Sequence, residues 1–225
     1  MLPTLKIRRM ATKIKMLTET IYFYQKKIKP KAIVLACNTL TAILIEKVRK
    51  KYPNLIVVGA EPAIRPALQN SKKNVLVLAT NATLKHSKLI KLFKTNNHSN
   101  VSFLKLPKLA GLIDEFYSTN PQVIQDYLAQ NLAYLKGKFD AVVLGCTHYI
   151  IVGKAIKNIL GNVTLYNGNY GITKRLMVCL DIMKIKNFGG KKGKTTLIST
   201  DEKRKEMLLK NYTYLLKRRD ELCAV

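Results

Sequence analysis

Val34-Leu35-Ala36-Cys37-Asn38-Thr39 and Val143-Leu144-Gly145-Cys146-Thr147-His148 are one phrase written twice: an apolar run, a small residue, a cysteine and two polar residues. Each apolar, branched run reads as a buried strand and each is followed by a helical pattern, so both cysteines fall where a strand ends and a helix begins. At such a junction unpaired backbone N–H groups and the positive end of the helix dipole favour anions, which stabilises a thiolate and suits a docked carboxylate. Two matched thiol sites of this kind describe chemistry rather than packing. Cys179 and Cys223 lack that context and read as a core residue and a tail residue.

Outward from these two points the chain alternates strand and helix. A helical pattern covers about Ile7–Lys27, followed by strand Ala32–Ala36, helix Asn38–Lys50 and strand Leu55–Val58. Behind Glu61-Pro62 come a short helix, strand Val75–Leu78, helix Ala82–Phe93, strand Val101–Leu104 and helix Pro107–Phe116. Helix Pro121–Leu135, strand Ala141–Leu144, helix Ile150–Leu160, strand Val163–Tyr166 and helix Gly171–Met183 complete the body. Past a linker at Gly189–Lys194, Thr195–Ile198 reads as a strand and Glu202–Leu216 as a helix. The alternation predicts an α/β fold of parallel-type sheets covered by helices, with ligands at the carboxyl ends of the strands. Two lobes are expected, residues 1–66 with 170–225 and residues 67–169, enclosing the active site in the cleft between them.

Composition narrows the function classes. The formal charge of +27 invites a nucleic-acid reading, but lysines outnumber arginines 32 to 8 and are spread along the whole chain. Phosphate and base recognition lean on arginine's planar fork, so solvated lysine-rich faces are the favoured reading and nucleic acid the less favoured one. Four cysteines without a Cys-x-x-Cys pair point to reduced thiols in the cytoplasm rather than a disulfide framework. No stretch reaches the roughly 18 uninterrupted apolar residues of a membrane helix, and the lysine-studded N-terminal segment has no secretory pattern. No ligand-pair spacing joins Cys37, Cys146 and His148, so no metal site is expected. His86 and His98 read as surface or loop residues, Glu61 as a helix cap or a substrate contact, and Lys191–Lys194 as solvated linker.

Four linked motifs then match a family in order and spacing. Ala36-Cys37-Asn38-Thr39-Leu40-Thr41-Ala42, Glu61-Pro62-Ala63, Leu78-Ala79-Thr80 with Thr83 and Ser87, and Leu144-Gly145-Cys146-Thr147-His148-Tyr149 resemble glutamate racemases over nearly the whole chain. The resemblance implies a cofactor-independent enzyme that interconverts L- and D-glutamate by two bases, supplies D-glutamate for peptidoglycan and works as a homodimer. It assigns Cys37 to the D enantiomer and Cys146 to the L enantiomer, with His148 assisting Cys146. Asn38, Thr39, Thr80 and Thr147 would hold the amino and carboxylate groups of the substrate. Asp114 falls where the family has a glutamate that helps at the second cysteine, and the neighbouring Glu115 is the alternative for that role. The chemistry agrees: an amino acid's α-hydrogen is very weakly acidic, so moving it between faces needs a base on one side and an acid on the other.

The chain also departs from the pattern. The family opens with a strand ending in Asp-Ser-Gly, followed by a Pro-Tyr-Gly loop, and neither is found here, so Cys37 is expected to lack its aspartate partner. Either the chain is the larger part of a longer product, or it is a repurposed racemase. Leu40, Ile150 and Asn167-Gly168 replace an alanine, a proline and an acidic residue before glycine. His148 and Thr41 favour glutamate over aspartate. The alternatives are an aspartate racemase and a non-catalytic basic module that binds DNA or a DNA-processing partner.

Overall fold

The computed structural model describes residues 3–95, 99–190, 193–198 and 202–217. The order is α1 (Pro3–Lys27), β1 (Ala32–Leu35), α2 (Asn38–Lys51), β2 (Ile56–Gly59), α3 (Ile64–Asn70), β3 (Val75–Ala79), α4 (Asn81–His86), α5 (Lys88–Thr95) and β4 (Val101–Lys105). There follow α6 (Leu109–Phe116), α7 (Pro121–Leu132), β5 (Ala141–Gly145), a 3-10 turn (Thr147–Val152), α8 (Gly153–Leu160), β6 (Thr164–Tyr166), α9 (Asn169–Ile182) and α10 (Glu202–Lys217).

Every strand pair is parallel, as the alternation predicts. One sheet has the order β4-β3-β5-β6 and the other consists of β1 and β2. The central strands β3 and β5 are wholly buried, consistent with their unbroken apolar runs Val-Leu-Val-Leu-Ala and Ala-Val-Val-Leu-Gly. Their side chains alternate between two cores. Leu76, Leu78, Val142 and Leu144 pack against α6, α7 and α8 through Leu109, Ile113, Leu128 and Ile156. Val75, Val77, Ala141 and Val143 pack on the opposite face against Ile64, Ala67, Ile90 and Phe93. Each large aliphatic side chain sealed in this way stabilises the fold by roughly 1.5–3 kcal/mol.

The smaller sheet is built more thinly. Among the described side chains its core holds five buried residues, Ile21, Leu35, Leu44, Val48 and Val57, against seventeen and eight for the two faces of the larger sheet. Among the described residues β1 pairs only with β2, and Val34 on β1 is exposed. α9 packs against β2, whereas α10 reaches the larger sheet's helices, with Tyr214 edge-on to Tyr117.

Three sequence expectations need correction. The helix expected over Ala82–Phe93 is two helices. Buried Ser87 has an extended backbone after α4, and its hydroxyl accepts the Ile90 N–H at 3.2 Å, so a side-chain cap displaces the continuing ladder. The helix expected at Ile150 begins earlier, as a 3-10 turn from Thr147, and becomes α-helical only at Gly153. Thr195–Ile198 forms no strand. Leu197 and Ile198 instead line a cavity with α6 and α10, showing how β propensity yields to the available packing partner.

Candidate active site at the strand ends

Register places the key residues. Ala79 pairs with Gly145, so Thr80 and Cys146 leave neighbouring strands side by side. The strands come this close because residue 145 has no side chain: a Cβ there would lie 2.8 Å from the Leu78 carbonyl oxygen and 3.0 Å from Ala79 Cβ. In the smaller sheet Leu35 pairs with Gly59, where an added Cβ would collide with Thr41 and Ile45. The buried Thr41 hydroxyl donates to the Leu35 carbonyl at 3.0 Å and accepts the Ala60 N–H at 3.1 Å, seating the first turn of α2 on the sheet. That fixes Cys37, the residue capping α2, at the end of β1.

Cys146 takes the equivalent place after β5 and is buried. Its carbonyl accepts the Tyr149 N–H at 3.0 Å. The Tyr149 ring is sealed beneath the turn, its hydroxyl donating to the Leu106 carbonyl at 2.8 Å. Burial, and then the neighbouring Cys146, push that phenol far above its ordinary range, so it acts as a fixed donor. With the turn pinned, Cys146 Sγ lies 3.8 Å from His148 Nδ1, and His148 Nε2 lies 3.0 Å from Asp114 Oδ1 on α6.

The charge logic of this line follows from its two ends. Hydrogen bonding to Asp114, and secondly to Cys146, raises the imidazole from 6.5 to about 10 against the opposing effect of burial. His148 is therefore an imidazolium at neutral pH. It donates to the Asp114 carboxylate on one side and faces sulfur on the other, where a thiolate is the complementary partner. Because the folded value lies above the ordinary one, the stabilisation from this pairing is complete below about 6.5 and is lost as pH rises through about 10. Asp114 thus reaches His148 with an aspartate's short side chain, while Glu115 is exposed.

A second cluster joins the sheets. The hydroxyls of Thr39, Thr80 and Thr83 form a ring with separations of 2.9, 3.0 and 2.9 Å. Thr39 stands on α2, two residues after Cys37. Thr80 caps α4, its oxygen also accepting the Thr83 N–H at 3.2 Å. The ring thus ties the turn after Cys37 to the end of β3, beside which β5 ends at Cys146. Sequence reasoning quoted Thr83 without giving it a role. The Thr-x-x-Thr cap spacing was its one local signal, and nothing local could show that it meets Thr39.

The other expected residues are placed as follows. Asn38 opens α2 and is buried, and Thr147 opens the 3-10 turn half-exposed. Asp114 and His148 also edge a largely apolar cavity of about 370 Å³, whose lining includes Leu197, Leu209 and Leu215. Glu61 does not cap α3, where Ala63 holds that position; it is exposed beside a cavity it shares with Arg49, Arg65 and Arg175. Cys179 lies half-buried in α9 and His86 at the end of α4. His98, Cys223, Lys191 and Lys192 lie outside the described residues. Among the described residues no group of three or more His, Cys, Asp or Glu side chains could hold a metal ion, and no helix is long and apolar enough to cross a membrane.

Residues 12–169 match the Asp/Glu/Hydantoin racemase family. The chain belongs to that family. Within it, the chain is 36% identical over 177 residues to a protein named glutamate racemase from Clostridium acetobutylicum, covering 77% of this chain and 69% of that one. Over 196 residues it is 36% identical to another of that name from Clostridium kluyveri, covering 85% and 76%. A crystal structure of Escherichia coli glutamate racemase, in complex with L-glutamate and the activator UDP-MurNAc-Ala, matches with a TM-score of 0.74 over 91% of this chain and 78% of that one. At 22% identity, that likeness establishes the racemase fold for this chain.

Proposed function

We propose that this chain is a glutamate racemase that works without a cofactor, using Cys37 and Cys146 as the two bases. The observation that carries the reading is the line Asp114–His148–Cys146, in which a carboxylate holds an imidazolium against a thiol at the end of a central strand. In the L-to-D direction the Cys146 thiolate takes the Cα proton, leaving a carbanion whose charge spreads onto the α-carboxylate. The Cys37 thiol returns a proton to the opposite face, ending as thiolate. The reverse reaction exchanges the roles. Positioned acid–base groups of this kind contribute about 10²–10⁴-fold each. Asn38, Thr39, Thr80 and Thr147 supply the polar contacts that hold the amino and carboxylate groups, and their preorganised donors favour the developing charge.

Several wider readings belong with this proposal. The product D-glutamate would serve peptidoglycan synthesis in the cytoplasm, and the enzyme would act as a homodimer. Residues 1–66 with 170–225 would form one lobe and residues 67–169 the other. The packing of α9 on β2 supports the return of the chain to the first lobe. α10, by contrast, meets residues 67–169, with Tyr214 edge-on to Tyr117.

The test is α-hydrogen exchange in deuterated water from L- and D-glutamate, followed by NMR together with optical rotation. Exchange with inversion from both enantiomers is expected. Cys146→Ser should abolish exchange of the L enantiomer and Cys37→Ser that of the D enantiomer. A folded chain that exchanges neither enantiomer sinks the proposal.

A further inference from the structure

We infer that Thr83 is a positioning residue for substrate recognition: its buried hydroxyl sets which way the Thr39 and Thr80 hydroxyls point across the seam between the sheets. The inference rests on the racemase reading and deepens it. Thr83 is completely buried, while Thr39 and Thr80 are half-buried. Two hydroxyls that can meet a ligand are therefore backed by a third that water cannot reach.

Proton counting shows what the third hydroxyl does. Each hydroxyl has one proton to give and two lone pairs. In the closed ring each donates to the next, and Thr80 Oγ1 also accepts the Thr83 N–H, so no donor proton is left for a carboxylate. An incoming carboxylate must draw one proton outward. If Thr39 turns, Thr80 donates to Thr83, Thr83 donates to Thr39, and Thr39 donates to the ligand. If Thr80 turns, the chain runs from Thr39 through Thr83. In both of these orders Thr83 is the middle member, accepting from one partner and donating to the other, and a donor that is itself accepting is strengthened. The ring thus opens into a three-member chain ending on the substrate without leaving a buried hydroxyl unpaired.

Thr83→Val keeps the side-chain volume, the β-branch and the backbone N–H that Thr80 caps, and removes only the relay. Thr83→Ser restores the hydroxyl and loses a methyl group. Steady-state racemisation in both directions should show KM for glutamate raised about two- to tenfold in Thr83→Val, the weight of one net hydrogen bond. The value of kcat should change less than KM, and Thr83→Ser should return KM to within about twofold of wild type. Circular dichroism and thermal melting establish that each variant is folded. If Thr83→Val is folded and keeps the wild-type KM, or if Thr83→Ser is as impaired as Thr83→Val, Thr83 has no positioning role while the racemase assignment stands. If wild-type protein exchanges neither enantiomer, the racemase reading fails and this role fails with it.

Discussion

Replacing Asp114 with asparagine probes the charge line at the second thiol while preserving shape. The carboxylate lies 3.0 Å from His148 Nε2 and is the leading cause of the rise of that imidazole from 6.5 to about 10. An opposite charge at this range shifts a group by roughly 1–3 pH units, so Asp114→Asn should bring His148 down to about 7–9. At about pH 8 wild-type His148 is then ~99% protonated, whereas a variant titrating near 8 is only about half protonated. Catalysis from L-glutamate should fall about twofold there, and about tenfold if the value drops to 7. The loss should vanish below about pH 6, where both proteins carry the imidazolium. The assay is NMR titration of the ring protons, which is tractable because the chain has three histidines, paired with kcat/KM for L-glutamate against pH. The alkaline limb should move to lower pH in step with the titration, and Asp114→Glu should largely restore it. A wild-type His148 that titrates near 6.5, or an Asp114→Asn variant that leaves it near 10, would refute the reasoning.

Three further outcomes follow from the structure. Tyr52 carries the one buried side-chain oxygen or nitrogen without a partner among the described residues, so Tyr52→Phe should stabilise the fold by about 0.5–1 kcal/mol, seen as a higher Tm. Gly145→Ala would set its new methyl 2.8 Å from a backbone carbonyl that cannot move aside, so chemical denaturation should show a loss of about 1–3 kcal/mol together with a fall in exchange at Cys146. The net charge of +27 should attract an anionic amino acid, so kcat/KM for glutamate should drop several-fold between low and physiological ionic strength with kcat little changed.

The sequence was most legible where one residue type had one job. Six of the expected strands are present because continuous runs such as Val75–Leu78 and Ala141–Leu144 have no other stable place than a covered parallel sheet. Cys37 and Cys146 were placed at strand ends because an apolar run followed by small polar residues marks that junction. What local pattern could not show was pairing across the fold. The hydroxyl of Thr83 meets that of Thr39 over a separation of 44 residues, and Asp114 meets His148 over 34. Ser87 splits a helix that periodicity alone continues, because its hydroxyl competes for a backbone N–H. Thr195–Ile198 has strand-forming residues but forms no strand, and its apolar members line a cavity with α6 and α10 instead.

The two sheets also differ in how firmly they can hold what they carry. Cys146 hangs from the middle of a four-stranded slab packed on both faces, while among the described residues Cys37 hangs from a two-strand ribbon with a handful of sealed side chains. Opening of a protein begins where few buried groups must separate. On the racemase proposal the two thiols are thus held with unequal firmness, one on an anvil and the other on a lighter jaw. A substitution in Ile21, Leu44 or Val48 should therefore loosen the end of β1 that carries Cys37, and so act on turnover from a distance.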